Sequence, residues 1–366
     1  MGEKKKILVI CPHPENIAPG QRLKYEQYFE SWRNEGFEVT VSPFFSNRMQ
    51  SILYNRRNKL EKVYWVLHAY LKRLLLAFTL KQYDLLYVFL WVTPFGYPMM
   101  ERLYVAINPN MVYDIDDAIF MKAESVVNRS MDFIRGRSKP FFLMKKAKHV
   151  IACTPFLTEV ALTYNSNVTD ISSTINTESY LPVNPYSNNH KPVLGWSGSH
   201  STSQFLYLLK DMLLALNEQQ PFKLIVMGDA SFHIEGIDME ALPWSVENEV
   251  PTLQRFDIGL YPLPLDNKWV LGKSGLKALQ YMAVGLPVVA TAIGANYRII
   301  EHGKTGFLVK TKEEWITQLI ALMNDPSLRK KIGLAARDIV EANYSIHANA
   351  PVYLSIIKGA CKSPVK

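Results

Sequence analysis

A series of short runs in this chain is apolar and β-rich almost end to end: KILVICP (6–12), DLLYVFLW (84–91), NMVYDID (110–116), HVIACTP (149–155), VLGW (193–196), FKLIVMGD (222–229), FDIGLYPL (256–263) and PVVATA (287–292). A strand with one wet face alternates apolar and polar residues, whereas a run apolar on both sides must be covered on both sides. The intervening stretches read as helices, so the pattern predicts parallel sheets sandwiched between helices, an α/β fold. EGFEVTVSPFF (35–45) adds a turn and a strand, after a helix expected from about Leu23 to Asn34.

The alternation stops once. Residues 180–192 collect Pro, Asn and Ser without periodicity, which is linker composition. At 366 residues the chain is long for a single core. The expected organisation is two Rossmann-like units, residues 1–185 and 190–342, with a segment 343–366 that crosses back to the first. Two such units place ligands at the carboxyl ends of their strands.

A hydrophobic content of 48% with 20% charged residues belongs to a folded globular chain. Cys11, Cys153 and Cys361 lack metal-ligand or CxxC spacing and point to a reducing, cytoplasmic setting. The apolar run after Lys6 stops at Pro12, too short for a signal peptide, and no run reaches the length of a membrane span. The net charge of +8 is concentrated: residues 1–150 carry 23 Lys+Arg against 14 Asp+Glu. Much of the excess lies in 55–81, where Arg56, Arg57, Lys59, Lys62, Lys72, Arg73 and Lys81 interleave with Trp, Tyr and Leu. Such a helix either rests on an anionic membrane surface or turns its apolar side to the core. Nucleic acid is the third partner such charge admits, and no nucleic-acid motif accompanies it.

The stretch LGKSGLKALQYMAVGLPVVAT (271–291) contains the Gly-Lys-Ser that ends a phosphate-binding loop. A P-loop is excluded, because Asn267 stands where its first glycine belongs and no apolar strand leads directly into it. What remains is a glycine-rich turn, Gly272 to Gly275, opening a helix near Leu276 whose first amides are free to face an anion, with Lys273 adding a charge. A flexible turn capped by Ser274 is the alternative.

Met282, Ala283, Gly285, Pro287, Val288, Val289 and Ala290, followed by Gly303, Gly306, Leu308 and Val309, resemble the C-terminal domain of retaining GT-B glycosyltransferases of family 4. PGQRLKYEQYFESWRNEGFEVTV (19–41) looks like that family's first loop and helix, VLGWSGSHST (193–202) like the first loop of its nucleotide domain. The resemblance implies a metal-independent, retaining transfer of a sugar from a nucleotide diphosphate sugar to a glycan or polyprenyl-diphosphate-linked acceptor, in cell-surface polysaccharide biosynthesis. It implies no cofactor beyond that co-substrate. The chain departs from the Glu-x7-Glu motif of the family, with Gly272 and Gln280 in place of the two glutamates. Gln280 keeps hydrogen-bonding capacity toward a ribose without the charge. A sub-branch with Gly-Lys-x-Gly-x-Lys-x-x-Gln-Tyr-Met-Ala uses lysine instead, so Lys273, with Ser274, Gly275 and Leu276, is expected to hold the leaving diphosphate.

The remaining expectations come from loops. Asp114, Asp116 and Asp117 in MVYDIDDAIF follow an apolar run, and Asp114 or Asp116 is expected to orient an acceptor hydroxyl. The same hhhDxD pattern fits an Asp-nucleophile phosphatase, and Asp117 also suits a helix cap. Gly20 and Arg22 stand where an anionic group would approach. Ser197, Gly198, Ser199 and Thr202 are candidate phosphate or sugar contacts, Thr202 alternatively a plain N-cap. Trp244 lies either near the base or in the core, and Asn296 completes the substrate-binding set. Three rival readings stay open at this point: the phosphatase, a catalytically silent sugar-nucleotide-binding protein, and a GT-B nucleotide-sugar epimerase.

Overall fold

The computed structural model describes residues 4–53, 58–121, 136–182, 191–200 and 202–361. The chain divides into two units, one of Met1–Ser173, Gly272–Ser274 and Asn349–Lys366, the other of Thr174–Leu271 and Gly275–Ala348. The passage between them falls at Ser173 and Thr174, ahead of the position expected from composition, and residues 183–190 of that stretch lie outside the described residues. The reason is local. Ile175 bridges to Ser345 and the Arg337 guanidinium donates to the Thr177 carbonyl at 2.8 Å, so this segment is fastened to the second unit.

The first unit holds a six-stranded parallel sheet in the order β2-β1-β3-β4-β5-β6. Its strands are β1 (Lys5–Cys11), β2 (Phe37–Pro43), β3 (Leu85–Phe89), β4 (Met111–Ile115), β5 (His149–Ala152) and β6 (Val168–Asp170). Strands β3 and β4 are buried along their whole length, as a sheet covered on both faces requires. The single helix expected over 23–34 is instead a turn of helix at Pro19–Arg22, a 3-10 turn at Glu26–Tyr28 and a short helix at Phe29–Asn34. Helix α1 (Lys59–Ala77) is the longest of this unit, and Arg56 and Arg57 before it lie outside the described residues.

The second unit repeats the architecture with β7 (Val193–Ser197), β8 (Lys223–Met227), β9 (Asp238–Leu242), β10 (Ile258–Tyr261), β11 (Val288–Thr291) and β12 (Phe307–Val309), in the order β12-β11-β10-β7-β8-β9. All its pairings are parallel. The strand order reverses between β7 and β10, which makes their carboxyl ends the switch point where such sheets bind ligands. Helix α2 (Leu276–Ala283) packs over β10 because Gly259 leaves room: a Cβ there would lie 2.4 Å from the Tyr281 ring. The connection after β7 begins as a 3-10 segment, Ser203–Leu209, before Lys210–Gln219 turns α-helical. Helix α3 (Ile346–Ala360) joins the first unit from Asn349, and its Tyr353 ring lies 4.5 Å from that of Tyr28.

Candidate functional site

In the second unit the site is built around the start of α2. Gly275 precedes it with φ +77, a left-handed conformation that strains other residues, and a Cβ there would also strike Ile299 Cδ1 at 2.2 Å. No side chain caps this helix end, so its first amides are unclaimed by a cap. The Tyr281 hydroxyl accepts the Ser197 amide at 2.7 Å and thereby fastens α2 to the carboxyl end of β7. One turn earlier on the same helix stands Lys277, whose ammonium lies 5.5 Å from the Trp196 ring and 5.7 Å from the Tyr261 ring. Trp196 is on β7 and Tyr261 closes β10, so a cation is held by aromatic faces over the switch point, at a helix end already favourable to anions. Gly198 keeps this approach open, since a Cβ there would be 2.8 Å from Lys277 Cε. Lys277 is the residue that the sequence reading passed over. Its signal was present in the second lysine of the Gly-Lys-x-Gly-x-Lys pattern.

The loop after β7 is organised by its own hydrogen bonds. Ser199 N donates to Thr202 Oγ1 at 3.1 Å, and Ser203 Oγ donates to Asp229 at 2.6 Å. Thr202 does not act as the plain N-cap considered for it, because its hydroxyl accepts from Ser199 and makes no capping bond to the helical segment behind it. Burial presses the Asp229 carboxyl upward, and hydrogen bonds from Ser203, Ser231 and His200 outweigh that and bring it down to about 2.

Gln280 is buried, and its amide nitrogen donates to Glu249 Oε1 at 2.9 Å and to the Tyr180 hydroxyl at 3.1 Å. Glu249, itself buried, also accepts from Tyr180 at 2.7 Å and from Trp244 Nε1 at 2.8 Å. A carboxylate is thus present beside Gln280, supplied by another helix, and nothing in the linear motif announced it. Trp244 is half-buried and tethered to Glu249, so the core placement considered for it does not hold. Asn296 is buried with its amide on the Thr291 carbonyl at 2.9 Å, which gives it a structural partner.

In the first unit, Asp114 is fully buried on β4, with Lys24 Nζ 2.5 Å away and the Tyr87 hydroxyl donating to it. Burial pulls the Lys24 ammonium down most strongly, and the charge and hydrogen bond of Asp114, joined by the fields of Cys153 and Asp116, together outweigh it, so the amine stays protonated. The expectation that Asp114 orients an acceptor, or acts as a phosphatase nucleophile, is therefore corrected: its strand points it into the core, where no substrate reaches. Asp116, two residues on, is half-buried past the strand end, and burial raises its carboxyl to about 7, with Lys24 opposing. Gly20 faces it, for a Cβ there would be 2.8 Å from Asp116 Oδ2. Arg22, nearby in sequence, is half-buried.

Lys273 and Ser274 group with the first unit, Gly275 and Leu276 with the second. Lys273 Nζ is 3.1 Å from Asp117 Oδ2, both side chains 26% exposed, and Ser274 Oγ is 2.9 Å from Ser173 Oγ. Asp117 accepts its bond from the neighbouring Ala118 amide at 2.8 Å. Among the described residues no group of three or more His, Cys, Asp or Glu is placed to hold a metal ion.

Residues 191–325 match the family model described as glycosyl transferases group 1. Trehalose synthase of Pyrococcus horikoshii is 32% identical over 83 residues, which cover 23% of this chain and 20% of that protein. D-inositol 3-phosphate glycosyltransferase of Pseudarthrobacter chlorophenolicus is 45% identical over 64 residues, 17% of this chain and 15% of that protein. The chain thus matches about a fifth or less of the length of these curated relatives. Solved structures resemble the whole chain: a glycosyltransferase from Rickettsia africae with TM-score 0.70 and 15% identity, covering 98% of this chain and 99% of that one. Sucrose-phosphate synthase from Thermosynechococcus elongatus gives 0.69 at 16% identity, over 97% and 99%. Anabaena HepE in complex with UDP-glucose gives 0.66 at 15%, again over 97% and 99%. The fold expected from the sequence, GT-B with two Rossmann-like α/β units, is the fold these structures share.

Proposed function

We propose that the chain is a glycosyltransferase that moves a sugar from a nucleoside diphosphate sugar to a glycan or lipid-linked acceptor, retaining the anomeric configuration without a metal ion. The observation that carries this reading is the Lys277 ammonium held over Trp196 and Tyr261 at the switch point of the second sheet, inside the segment that matches the family model. The leaving diphosphate gains charge as the glycosidic bond breaks. A cation fixed by aromatic faces and the start of α2, which no side chain caps, stabilise that charge without reorganising. Lys273 keeps the assignment to the leaving diphosphate that the motif suggests, and Ser199 and Thr202 are assigned to sugar or phosphate contacts. The first unit is assigned the acceptor, with Asp116 orienting its hydroxyl: a carboxyl raised to about 7 is half-ionised where a general base works best. Cell-surface polysaccharide synthesis at the cytoplasmic side of a membrane is the setting we infer for it.

The experiment is a thermal-shift panel of UDP, GDP, CMP and dTDP sugars on the wild type, Lys273→Ala and Lys277→Ala. UDP sugars come first, because a structural neighbour was crystallised with one. At a hundredfold excess over Kd, one nucleotide class is expected to add about 2.7 kcal/mol of stability to the wild type. Lys277→Ala is expected to lose most of that gain. A panel in which no diphosphate sugar stabilises the wild type refutes the reading. Stabilisation with no transfer to any acceptor selects the silent binder instead, the reading favoured by Gly272 and Gln280 in the motif positions.

A further inference from the structure

Helix α1 is amphipathic with its apolar side turned outward. Leu60, Val63, Leu67, Leu71, Leu74 and Phe78 follow one another at spacings of three and four residues, and all are exposed, Leu67 by 65% and Phe78 by 83%. The opposite side carries Ala69, Arg73 and Ala77, all buried. Arg73 is the anchor that fixes this orientation. Its guanidinium donates to the Val92 carbonyl at 3.0 Å, the Ser42 hydroxyl at 2.6 Å, the Ser42 carbonyl at 2.9 Å and the Cys11 carbonyl at 3.2 Å. A core-facing helix buries its leucines and sends its arginine to water, and this one does the reverse. Tyr97 and Met99, at the start of the helix that packs beside α1, are exposed as well.

We infer that this outward stripe of α1 is a docking face for an anionic lipid surface, on which the helix lies parallel to the bilayer. Charge and area both favour that occupant. Lys59 and Lys72 are exposed on the two flanks of the stripe and Lys81 follows just beyond the helix end. The one acidic residue of the helix, Glu61, is engaged by Arg48 at 2.7 Å. Apolar side chains bordered by lysines match a layer of acyl chains below anionic headgroups. A second copy of the chain fits less well. The 19 residues of α1 rise about 28 Å, so a face about 10 Å wide would bury roughly 600 Å² in a pair, below the ~1,000 Å² of a specific interface. Such a pair would also bring lysine rows together. No helix of the described residues is long and apolar enough to cross a membrane, which leaves the interface as the depth this helix reaches.

The test is flotation of the full chain with vesicles of phosphatidylglycerol and, separately, of phosphatidylcholine. Binding is expected on phosphatidylglycerol, weakening as salt is raised, and much less on phosphatidylcholine. Leu67→Glu/Leu71→Glu is expected to lower it by tenfold or more, on the order expected from losing two buried leucines. Lys59→Glu/Lys72→Glu is expected to weaken phosphatidylglycerol binding roughly fivefold per position. All four positions are exposed, so an unchanged melting curve checks that the variants fold. Lys277→Ala serves as the control that separates this inference from the proposed chemistry, since it leaves vesicle binding intact whether or not a sugar nucleotide binds. Absence of phosphatidylglycerol binding at low salt, or binding indifferent to Leu67→Glu/Leu71→Glu, overturns the inference. So does a concentration-dependent dimer in sedimentation velocity that the same variant abolishes, which would make the stripe a self-interface.

Discussion

Replacing Lys24 by methionine keeps the length of the side chain and removes its charge, leaving the Asp114 carboxylate buried with the Tyr87 hydroxyl as its remaining donor of those described above. Both partners are wholly inaccessible and 2.5 Å apart, so water cannot replace the lost ammonium. Breaking such a pair from one side destabilises by about 3–5 kcal/mol. The carboxylate has one escape, which is to take up a proton. With an unfolded-state value near 3.9, holding it protonated at pH 7 costs about 4 kcal/mol, and this sets a ceiling on the penalty. The ceiling falls with pH. In Lys24→Met the folded chain keeps the proton that the unfolded chain releases above pH ~4, so its stability declines by about 1.4 kcal/mol per unit as pH rises. The loss relative to wild type is therefore expected near 3–4 kcal/mol at pH 7 and roughly 2 kcal/mol smaller at pH 5.5, measured by urea unfolding at each pH. Lys24→Met/Asp114→Asn, which removes both charges, is expected to recover most of the loss. A penalty below ~1 kcal/mol at neutral pH, or one that does not shrink on acidification, would refute the buried-pair argument.

Asp116, raised to about 7, favours the folded chain in its protonated form. That contribution is fully present below pH ~4 and is lost as pH rises through about 7, so Asp116→Asn is expected to flatten the stability profile over this window. The same substitution is expected to lower kcat/KM by about 10²–10⁴ and to remove a rise in rate centred near pH 7, read from initial velocities across pH. Gly275→Ala combines a left-handed φ with a Cβ 2.2 Å from Ile299, and is expected to reduce stability by about 1–3 kcal/mol and to weaken nucleotide binding in calorimetry. Arg73→Met strands the Val92, Ser42 and Cys11 carbonyls, and thermal unfolding is expected to report about 3 kcal/mol or more of destabilisation.

The strands were legible where burial on both faces leaves an unbroken apolar run, as in β1, β3, β4, β8 and β11. Edge strands were not. DMEAL forms β9 at the border of its sheet, where partial exposure admits polar residues and erases the signal. The glycine-rich turn and the start of α2 could be read from the motif, because glycines and a helix start leave marks in sequence. The grouping of Lys273 with the first unit and Gly275 with the second could not, since the two are only two residues apart in the chain. The Glu249 carboxylate beside Gln280 was invisible for the opposite reason, the two being distant in sequence and joined by folding alone. Periodicity gave α1 an apolar side but not the direction it faces. A buried arginine placed opposite the leucines decides that, and only tertiary contacts reveal it.

The return of α3 to the first unit has a consequence for how the polypeptide is made. Tyr353 is fully enclosed against Tyr28 and Trp32, so the N-terminal core has a gap until translation has passed through the entire second body. During synthesis the downstream body can complete itself first, while the earlier-born one waits on the ribosome with aromatic side chains uncovered. Truncation anywhere before that tyrosine would leave the waiting state permanent.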